Sequence, residues 1–386
     1  MALNPIDYWR YSRYNPQNLL MAKQPCFTKI AVSVAVVVLM MTSAPAMLSA
    51  QTAAKPTAQK TPARAATASA TAKKKAYSAA SARARRATLA RARAAARARE
   101  LKDLQTPRFR VDEFGREVPD VRAEAAIIYN PETGEVLWEN HSKEQRSMAS
   151  ITKVMTALVF LESDTPLTTV VTVQRSDVAR ASTTYLRTGF KLSADDLLNL
   201  LLVGSDNAAA RALARVSYYG YDGFIQRMNE KARELGLEST VYADPSGLLA
   251  ENLSSAYDLA RLIAYASADE RISAIMRKTS FTTSTGKRVI TANSTNQIVR
   301  SGDIDVVGGK TGFITRSGYC LATLLRLPQS GQQVAFVVLG AKSNASRFWE
   351  TRHLFNWMAT RTKALLEGDF QQPQQHEQLQ QQELQQ

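Results

Sequence analysis

The chain has 386 residues, of which 45% are hydrophobic, and it carries a formal net charge of +15 at pH 7. This apolar content excludes a wholly disordered polypeptide, and the length allows one large domain with tails or two domains. The two cysteines and three histidines lie at no ligand spacing, which argues against a disulfide scaffold and a zinc site, so we expect no metal and no cofactor.

Residues 1–50 predict an export signal. A short basic stretch at 23–29 precedes an apolar run at 30–41, and a small-residue cleavage site follows at 44–46. This is the layout of a secretory signal peptide, with Met21 as a candidate start. An uncleaved membrane anchor is the competing interpretation, because the uncharged stretch is long enough to span a bilayer. In both cases we expect an exported protein that is periplasmic or associated with the cell envelope.

Residues 51–110 form a strongly basic segment. They hold sixteen Lys or Arg residues against two acidic ones, and Ala, Thr and Ser fill most of the remainder. Because the segment has almost no large apolar residue to bury, we expect it to be disordered or conditionally helical. It predicts either a tether to an anionic wall polymer or lipid headgroups, or a solvated linker without a specific partner. The export signal argues against nucleic acid as the partner.

Residues 123–363 have the pattern of one globular domain. A β-hairpin with a Pro/Gly turn is predicted at 125–138. The later elements are predicted helices at 150–162, 197–202, 208–217, 224–235, 256–267 and 347–360, and strands at 170–173, 306–314, 318–327 and 334–340. This order predicts an α+β fold, in which an antiparallel sheet carries helices from both chain ends with a helical insert between them. Residues 367–386 are Gln-rich, so we expect a disordered tail.

Ser150 and Lys153 form an S-x-x-K motif at the start of a helix-patterned run. Residues three apart on a helix share a face, so the Lys153 amine can reach the Ser150 hydroxyl. The helix N-terminus would also favour a developing negative charge near Ser150. The motif therefore predicts a serine nucleophile that is activated without histidine. On the motif alone, an N-cap serine followed by a surface lysine is the alternative.

Two further motifs follow in contexts that suit a catalytic groove. The S-D-N motif at 205–207 lies at the break between two predicted helices, so its side chains can project from a loop. The K-T-G motif at 310–312 lies in a glycine-flanked strand, where a ligand can approach the backbone closely. Each motif alone is weak, but the three in this order and in these contexts are typical of serine acyl-transfer enzymes.

With these motifs the chain resembles the serine D-Ala-D-Ala carboxypeptidase/endopeptidase family, the low-molecular-mass penicillin-binding proteins. The resemblance extends over 123–363 and includes segments at 244–248 and 255–259 that are similar to the family's N-P-x-G-L and S-T-A-x-D-L patterns. It implies a β-lactamase/transpeptidase-like fold with a helical subdomain. The chain is most similar to the short D-alanyl-D-alanine endopeptidases of the penicillin-binding protein 7 type, because residues 295–299 resemble theirs. Because few residues follow Gly312, we expect neither the C-terminal domain nor the anchoring helix of the longer carboxypeptidases.

The resemblance implies a substrate and a set of residue roles. The substrate is a peptidoglycan stem peptide with a D-Ala-D-Ala end or a D-alanyl cross-link, and β-lactam antibiotics are covalent inhibitors. Ser150 forms the acyl-enzyme with Lys153 as its base, whose pKa should be lowered by burial and by the nearby Lys310. Ser205 passes a proton to the leaving amine, and the backbone N–H groups of Ser150 and Phe313 form the oxyanion hole. The implied substrate-binding residues are Asn207, Lys310, Thr311, Gly312 and Phe313.

Two other functions remain open from the sequence. The first is a serine β-lactamase, which should present a Glu in an E-x-x-L-N context downstream of residue 205; Glu238 and Glu251 lack that context. We therefore expect penicillin to acylate Ser150 and to leave slowly. The second is a non-catalytic cell-wall-binding protein that uses the basic segment for adhesion, a role that needs none of the motif side chains. The choice between carboxypeptidase and endopeptidase action also stays open.

Overall fold

The computed structural model describes residues 65–367. The predicted signal or anchor, the first part of the basic segment and the Gln-rich tail beyond residue 367 lie outside the described residues. The chain divides into two units, Met1–Lys75 and Ala76–Gln386. Of the first unit only a helical stretch is described, and every described strand belongs to the second unit. Within the described residues, no helix combines the length and the apolar character needed to cross a membrane.

A long helix, α1 (Ala65–Gln105), occupies most of the basic segment. Ala and Arg are strong helix formers and no Gly or Pro interrupts the run, so the sequence itself favours the helix. Side chains 81–99 are all exposed, so tertiary packing contributes nothing to this stretch. Of the two states that the composition predicts, disordered or conditionally helical, the structure has the helical one over Ala65–Gln105.

Further helices and strands follow α1 along the chain. The helices are α2 (Lys153–Glu162), α3 (Arg175–Val178), α4 (Ala194–Leu202), α5 (Asn207–Val216), α6 (Gly220–Glu234), α7 (Ala256–Ser267), α8 (Glu270–Met276), α9 (Gln297–Ser301) and α10 (Ser346–Leu366), and a 3₁₀ turn (Ala149–Thr152) precedes α2. The strands are β1 (Phe109–Val111), β2 (Glu117–Pro119), β3 (Ala125–Tyr129), β4 (Val136–Asn140), β5 (Arg146–Ser147), β6 (Val170–Thr172), β7 (Lys191–Ser193), β8 (Leu253–Ser254), β9 (Ser280–Ser284), β10 (Val289–Asn293), β11 (Val306–Ile314), β12 (Gly318–Arg326) and β13 (Gln333–Ala341). Two-stranded ladders join β1 to β2, β5 to β8, β6 to β7 and β9 to β10.

The central sheet has five antiparallel strands in the order β11-β12-β13-β3-β4, so β11 forms one edge. Because successive residues of a strand point to opposite faces, β3 serves two cores. Ile127 packs into the core formed with the helices between α2 and α8, whereas Ile128 packs into the core that contains Phe348 and Leu354 of α10. The sheet is thus a layer between the helical subdomain and the C-terminal helix, and the predicted α+β fold is confirmed.

Two hairpins are absent from the sequence prediction. The β9–β10 hairpin alternates between more and less exposed positions, but β9 consists mainly of Ser and Thr, so few apolar residues mark its strand period in the sequence. The β1–β2 hairpin precedes the predicted domain start at residue 123. The Phe109 ring contacts the His353 ring of α10 at 4.9 Å, and the Arg108 carbonyl oxygen lies 2.8 Å from His353 Nε2. The folded unit therefore begins near residue 109 rather than 123.

Candidate active site

The nucleophile motif lies in a short turn held between two glycines. Ser150 is the second residue of the 3₁₀ turn rather than the first of an α-helix, and Ala149 adopts φ = +48°. A Cβ atom on Gly247 would lie 2.1 Å from the Ala149 carbonyl oxygen, and one on Gly312 would lie 2.7 Å from the Met148 carbonyl oxygen. The turn is thus pressed between a loop and β11, and only glycine permits these approaches.

Lys153 begins α2 with a fully buried side chain. Its Nζ atom lies 2.9 Å from Ser150 Oγ, 2.6 Å from Asn207 Oδ1 and within hydrogen-bond distance of the Ser246 carbonyl oxygen. The amide and carbonyl oxygens can only accept, so a neutral amine would donate its two hydrogens to them and direct its lone pair at the Ser150 hydroxyl. This geometry suits a general base for Ser150.

Burial lowers the pKa of Lys153 to about 7. The charges of Asp244 and Asp206 oppose this shift and raise the pKa, whereas the charge of Arg211 lowers it further. Burial, the charge of Lys153 and the charge of Arg347 lower the pKa of Lys310 well below its usual value. Repulsion between the two lysines is mutual, so each disfavours the charged form of the other.

The S-D-N motif makes a sharp turn between α4 and α5. Ser205 adopts φ = +58°, and its Oγ atom accepts a hydrogen bond from Lys310 Nζ at 2.8 Å. Asp206 is the N-cap of α5, where its carboxylate accepts the Ala209 N–H. The capped helix then begins at Asn207, whose side-chain oxygen meets the buried amine of the S-x-x-K motif. The N-cap at Asp206 therefore fixes the orientations of the Ser205, Asp206 and Asn207 side chains.

The K-T-G motif lies on β11, at the edge of the central sheet. Lys310 is buried, and its amine also donates to the Thr311 carbonyl oxygen at 3.0 Å. The Thr311 hydroxyl donates to Thr295 Oγ1 at 2.6 Å. A Cβ atom on Gly309 would lie 2.8 Å from Asn296 Nδ2, so the strand packs tightly against the segment that follows β10. The predicted close approach at this strand is therefore present.

The predicted site residues surround one groove of about 390 Å³. Those that line it are Ser150, Ser205, Asn207, Thr311, Gly312 and Phe313. Lys153 and Lys310 lie beneath this lining, within hydrogen-bond distance of its hydroxyls. The Phe313 ring is half exposed and stacks on Tyr319, with the ring centroids 4.2 Å apart. The groove thus combines hydroxyl and amide groups with one apolar wall.

Arg347 on α10 is a groove residue that the sequence pattern does not reveal. Its buried guanidinium donates to the carbonyl oxygens of Gly312 at 3.0 Å and Cys320 at 3.2 Å, and to the Asn344 side chain. Burial lowers its pKa to about 10. A single arginine in a helix of mixed polarity is normally predicted to be solvent-exposed, so no sequence signal identifies Arg347 as a groove residue.

The loop that contains Asp244 supplies one of the acceptors for Lys153. Asp244 is buried and accepts hydrogen bonds from the backbone N–H groups of Ser246 and Gly247 and from the Asn252 side chain. These bonds close the turn that places the Ser246 carbonyl oxygen at Lys153. The sequence marks this segment only by its similarity to a family pattern, and its function as a support becomes visible in three dimensions.

Several known proteins resemble this chain in sequence or in fold. The D-alanyl-D-alanine endopeptidase of Escherichia coli K12 is 32% identical over 246 residues, which cover 63% of this chain and 79% of that protein. The crystal structure of the Streptomyces K15 DD-transpeptidase aligns with a TM-score of 0.58 at 27% identity, covering 62% of this chain and 97% of that one. Penicillin-binding protein D2 of Listeria monocytogenes, in its cefotaxime-bound form, aligns with a TM-score of 0.55 at 28% identity, covering 61% and 97%.

These solved structures confirm the predicted transpeptidase-like fold. Residues 112–343 match the peptidase S11 family, D-alanyl-D-alanine carboxypeptidase. This range contains the nucleophile turn, the S-D-N loop and the K-T-G strand. The chain therefore belongs to the peptidase S11 family of D-alanyl-D-alanine carboxypeptidases.

Proposed function

We propose that the chain is a serine-type D-Ala-D-Ala carboxypeptidase and DD-endopeptidase that acts on peptidoglycan stem peptides through an acyl-enzyme on Ser150. The observation that carries this proposal is the environment of the Lys153 amine, which touches the Ser150 hydroxyl and two oxygens that can only accept. With a pKa of about 7, this amine is substantially neutral at physiological pH and can take the serine proton.

Acylation follows from this geometry. Ser150 Oγ attacks the carbonyl carbon of the penultimate D-alanine while its proton moves to Lys153. The backbone N–H groups of Ser150 and Phe313 stabilise the resulting oxyanion, a contribution of about 3 kcal/mol in comparable enzymes. The C–N bond then breaks, and the leaving amine receives a proton through Ser205. Water adds to the ester in the same way and releases the shortened peptide.

The carboxylate end of the substrate belongs at Lys310 and Thr311. Thr311 lines the groove, and Lys310 lies beneath it within hydrogen-bond distance of Ser205. The pKa of Lys310 is lowered in the free protein, but a carboxylate at this position favours the charged ammonium and so restores the ion pair. Substrate orientation and protonation of Lys310 are therefore coupled.

β-Lactam antibiotics should act as covalent inhibitors. The solved Listeria relative was obtained in a cefotaxime-bound form. None of the described residues that line the groove carries a carboxylate that could activate water for rapid release of a penicilloyl group. A serine β-lactamase would need such a base. We therefore propose slow release of penicillin from Ser150, and rapid penicillin turnover by the purified protein would favour the β-lactamase instead.

Labelling with a fluorescent penicillin tests the assignment of the nucleophile. The wild-type chain should be labelled, and Ser150→Ala should not be labelled. Ser147→Ala is a matched control, because it removes a buried hydroxyl three residues away and leaves the nucleophile intact. Labelling of the Ser150→Ala protein would refute the assignment, and a wild-type chain that is not labelled would favour the non-catalytic wall-binding alternative.

The two peptidase activities differ in the leaving group on the far side of the cleaved bond. A carboxypeptidase releases a terminal D-alanine, and an endopeptidase cuts the D-alanyl cross-link between two peptides. The relative with endopeptidase in its name motivates the proposal that cross-linked dimers are cleaved. Digestion of muropeptide dimers and pentapeptide monomers side by side tests it, and cleavage of monomers alone would reject endopeptidase action.

Export to the cell envelope, with a cleaved signal or a retained anchor, is also proposed. Its support is the signal-like composition of residues 1–50 together with a substrate class found outside the cytoplasm. The exposed arginines of α1 suit an anionic wall polymer or lipid headgroups. A reporter fusion to residues 1–50 tests export, and retention of the reporter in the cytoplasm would reject it.

A further inference from the structure

Two segments of the helical subdomain, which we call the basic flanks, carry charge of one sign only. The first, 178–193, runs from the end of α3 through β7, and the second, 278–296, contains the β9–β10 hairpin. Each flank holds three Lys or Arg residues and no Asp or Glu. Residues 111–386 as a whole hold 29 basic and 31 acidic residues, so the excess of positive charge is local to the two flanks.

Both basic flanks pack against Gly204, which lines the catalytic groove directly before the S-D-N motif. A Cβ atom added to Gly204 would lie 2.9 Å from the Tyr185 ring of the first flank and 3.0 Å from the Ala292 Cβ atom of the second. Thr183 of the first flank and Thr295 of the second also line the groove. The basic flanks therefore form two walls of the groove at the S-D-N end.

Most of the basic side chains on the flanks are available to a ligand. Within residues 65–367, five of the six are exposed and form neither an ion pair nor a side-chain hydrogen bond: Arg180, Arg187, Lys191, Lys287 and Arg288. The sixth, Lys278, donates to the Asn199 side chain at 2.7 Å. Arg180 lies two residues from Ser182, which lines the groove, and Arg288 lies about 13 Å along the strand from Ala292. An anionic group that leaves the groove at this end can therefore reach them.

The leaving group of the proposed reaction lies at the same end of the groove. Ser205 gives a proton to the leaving amine, and Lys310, whose Nζ atom lies 2.8 Å from Ser205 Oγ, holds the carboxylate of the leaving residue. In a D-alanyl cross-link the leaving residue belongs to a second peptide, which must pass Gly204 between the two flanks. In a monomer the leaving group is a single D-alanine, which ends at Lys310 and does not extend to the flanks.

We propose that the basic flanks bind the carboxylates of the second peptide in a cross-linked substrate, and that the protein thereby prefers cross-links whose leaving peptide is acidic. Arg180 and Arg187 bind this peptide from one wall, and Lys287 and Arg288 bind it from the hairpin. Exposed ion pairs are individually weak, so the preference depends on several of them acting together. The inference rests on the proposed function, because the second peptide is the leaving group of the endopeptidase reaction, and it adds the chemical class of that peptide.

Three synthetic substrates test this proposal with the full chain. The first is a cross-linked dimer whose second peptide keeps all its carboxylates. The second is the same dimer with those carboxylates amidated, except the one beside the scissile bond, and the third is a pentapeptide monomer that ends in D-Ala-D-Ala. We expect kcat/KM to be about tenfold higher for the acidic dimer than for the amidated dimer. This difference should shrink as salt is added, because dissolved ions screen exposed charges.

Two double variants test each wall separately. Arg180→Gln combined with Arg187→Gln, and Lys287→Gln combined with Arg288→Gln, should each lower kcat/KM for the acidic dimer about threefold, because each pair of charges accelerates association with an anionic peptide. Neither double variant should change kcat/KM for the amidated dimer or the monomer, since these substrates bring no additional carboxylate to the flanks.

Arg361→Gln combined with Lys363→Gln is the matched control. Both residues are exposed on α10, and their replacement removes the same two positive charges. The α10 helix packs on the opposite face of the central sheet from the core to which both flanks contribute. The control should therefore leave kcat/KM unchanged for all three substrates.

The outcomes separate this inference from the proposed function. Equal cleavage of the acidic and amidated dimers by the wild-type chain, or equal losses for all three substrates in the variants, would refute the binding of carboxylates by the flanks while the peptidase assignment stands. Cleavage of the monomer alone would reject both endopeptidase action and this inference. If no substrate is cleaved and Ser150 is not acylated by penicillin, the proposed function itself fails. The rate of penicillin acylation should be unchanged in both double variants, which confirms that they fold.

Discussion

The Lys153 amine has three oxygen neighbours, and only the Ser150 hydroxyl has a proton to give. The other two are an amide and a carbonyl oxygen, so they hold the amine without competing as acids. Burial supplies the second requirement, because it lowers the pKa of Lys153 to about 7. Position and pKa together distinguish this lysine from Lys310, whose amine faces the Ser205 hydroxyl and, in the function we propose, the substrate carboxylate.

The pH dependence of acylation should report this pKa. Because only the neutral amine can accept the serine proton, the rate of penicillin acylation should rise about tenfold per pH unit below pH 7 and level off above it. Stopped-flow measurements between pH 5 and 8 give the profile. A rate that does not change across this range would show that Lys153 is not the base.

Asp244 should tune that profile through its charge. The Asp244 carboxylate raises the pKa of Lys153, so Asp244→Asn should move the inflection of the acylation profile to lower pH. Asn252→Ala is the matched control: it removes a hydrogen bond to Asp244 and leaves the charge in place. The control should slow acylation without moving the inflection. An unchanged inflection in Asp244→Asn would limit this residue to a structural role.

Replacement of Lys153 and replacement of Lys310 should affect activity in different ways. Lys153→Ala should abolish acylation by every substrate, because Ser150 loses its base. Lys310→Ala should lower kcat/KM by roughly ten- to hundredfold for peptides that end in a free carboxylate and should have little effect on the corresponding peptide amides. Parallel assays with both peptide forms measure the difference. Equal losses for acid and amide would remove Lys310 from carboxylate recognition.

The sequence identifies functional residues whose partners lie only a few positions away along the chain. Ser150 and Lys153 can be recognised because they lie three residues apart at a helix start. Arg347 and Asp244 cannot be recognised in this way, since their contacts depend on elements far apart in sequence. The same reason applies to the pKa of Lys153, because the balance of charges around a buried amine is a property of the assembled site.

At the scale of elements, β11 and the 3₁₀ turn form one closely packed unit. Gly312 of the strand and Gly247 of the neighbouring loop both approach the backbone of the turn that carries Ser150. Each approach leaves no space for a side chain. The position of the nucleophile therefore depends on three elements that are more than sixty residues apart in the sequence.

A pair of glycine substitutions tests this packing. Gly247→Ala places a Cβ atom 2.1 Å from the Ala149 carbonyl oxygen, so it should displace the turn and reduce penicillin labelling at least tenfold. Gly286→Ala is the matched control, because Gly286 has a similar φ of +75° but no atom within 4 Å of the added Cβ. The control should lose only about 1 kcal/mol of stability. Equal labelling of both variants would contradict the packing argument.

The long apolar strands were predictable, and the short polar ones were not. Strands β11, β12 and β13 are buried over most of their length, so their apolar runs stand out in the sequence. The β9–β10 hairpin buries only a few apolar side chains, among them Ile290 and Ala292, so it leaves a weaker trace in the sequence. The Ala and Arg content of α1 is compatible with a helix, but composition alone does not distinguish a helical segment from a disordered one.

For the whole molecule, two buried lysines make stability depend on pH. The pKa of Lys153 is about 7 in the folded chain and about 10.4 in the unfolded chain. Between these values the unfolded chain binds more protons, so the free energy of unfolding rises as pH rises. Below pH 7 this contribution no longer changes.

Thermal unfolding of the wild type and Lys153→Met should reveal that slope. Between pH 7 and 8.5, the Tm of the wild type should rise by roughly 3 °C per pH unit more than that of the variant. Lys310 contributes a slope of the same sign to both proteins, and the difference between them reports Lys153 together with its coupling to Lys310. Parallel curves for the two proteins would show that Lys153 has the same pKa in the folded and unfolded chains.

The position of Lys310 has a consequence for the proton balance of the working enzyme. Its pKa is lowered in the empty groove and would be restored beside a carboxylate, so the function we propose predicts that substrate binding is accompanied by proton uptake from solution. Affinity for the anionic substrate should then weaken as the medium becomes more alkaline, while Lys153 becomes a better acceptor. The rate of turnover should therefore fall at low pH, where Lys153 is protonated and cannot act as the base. It should also fall at high pH, where Lys310 is neutral and no longer binds the carboxylate, so the pH optimum lies between these limits.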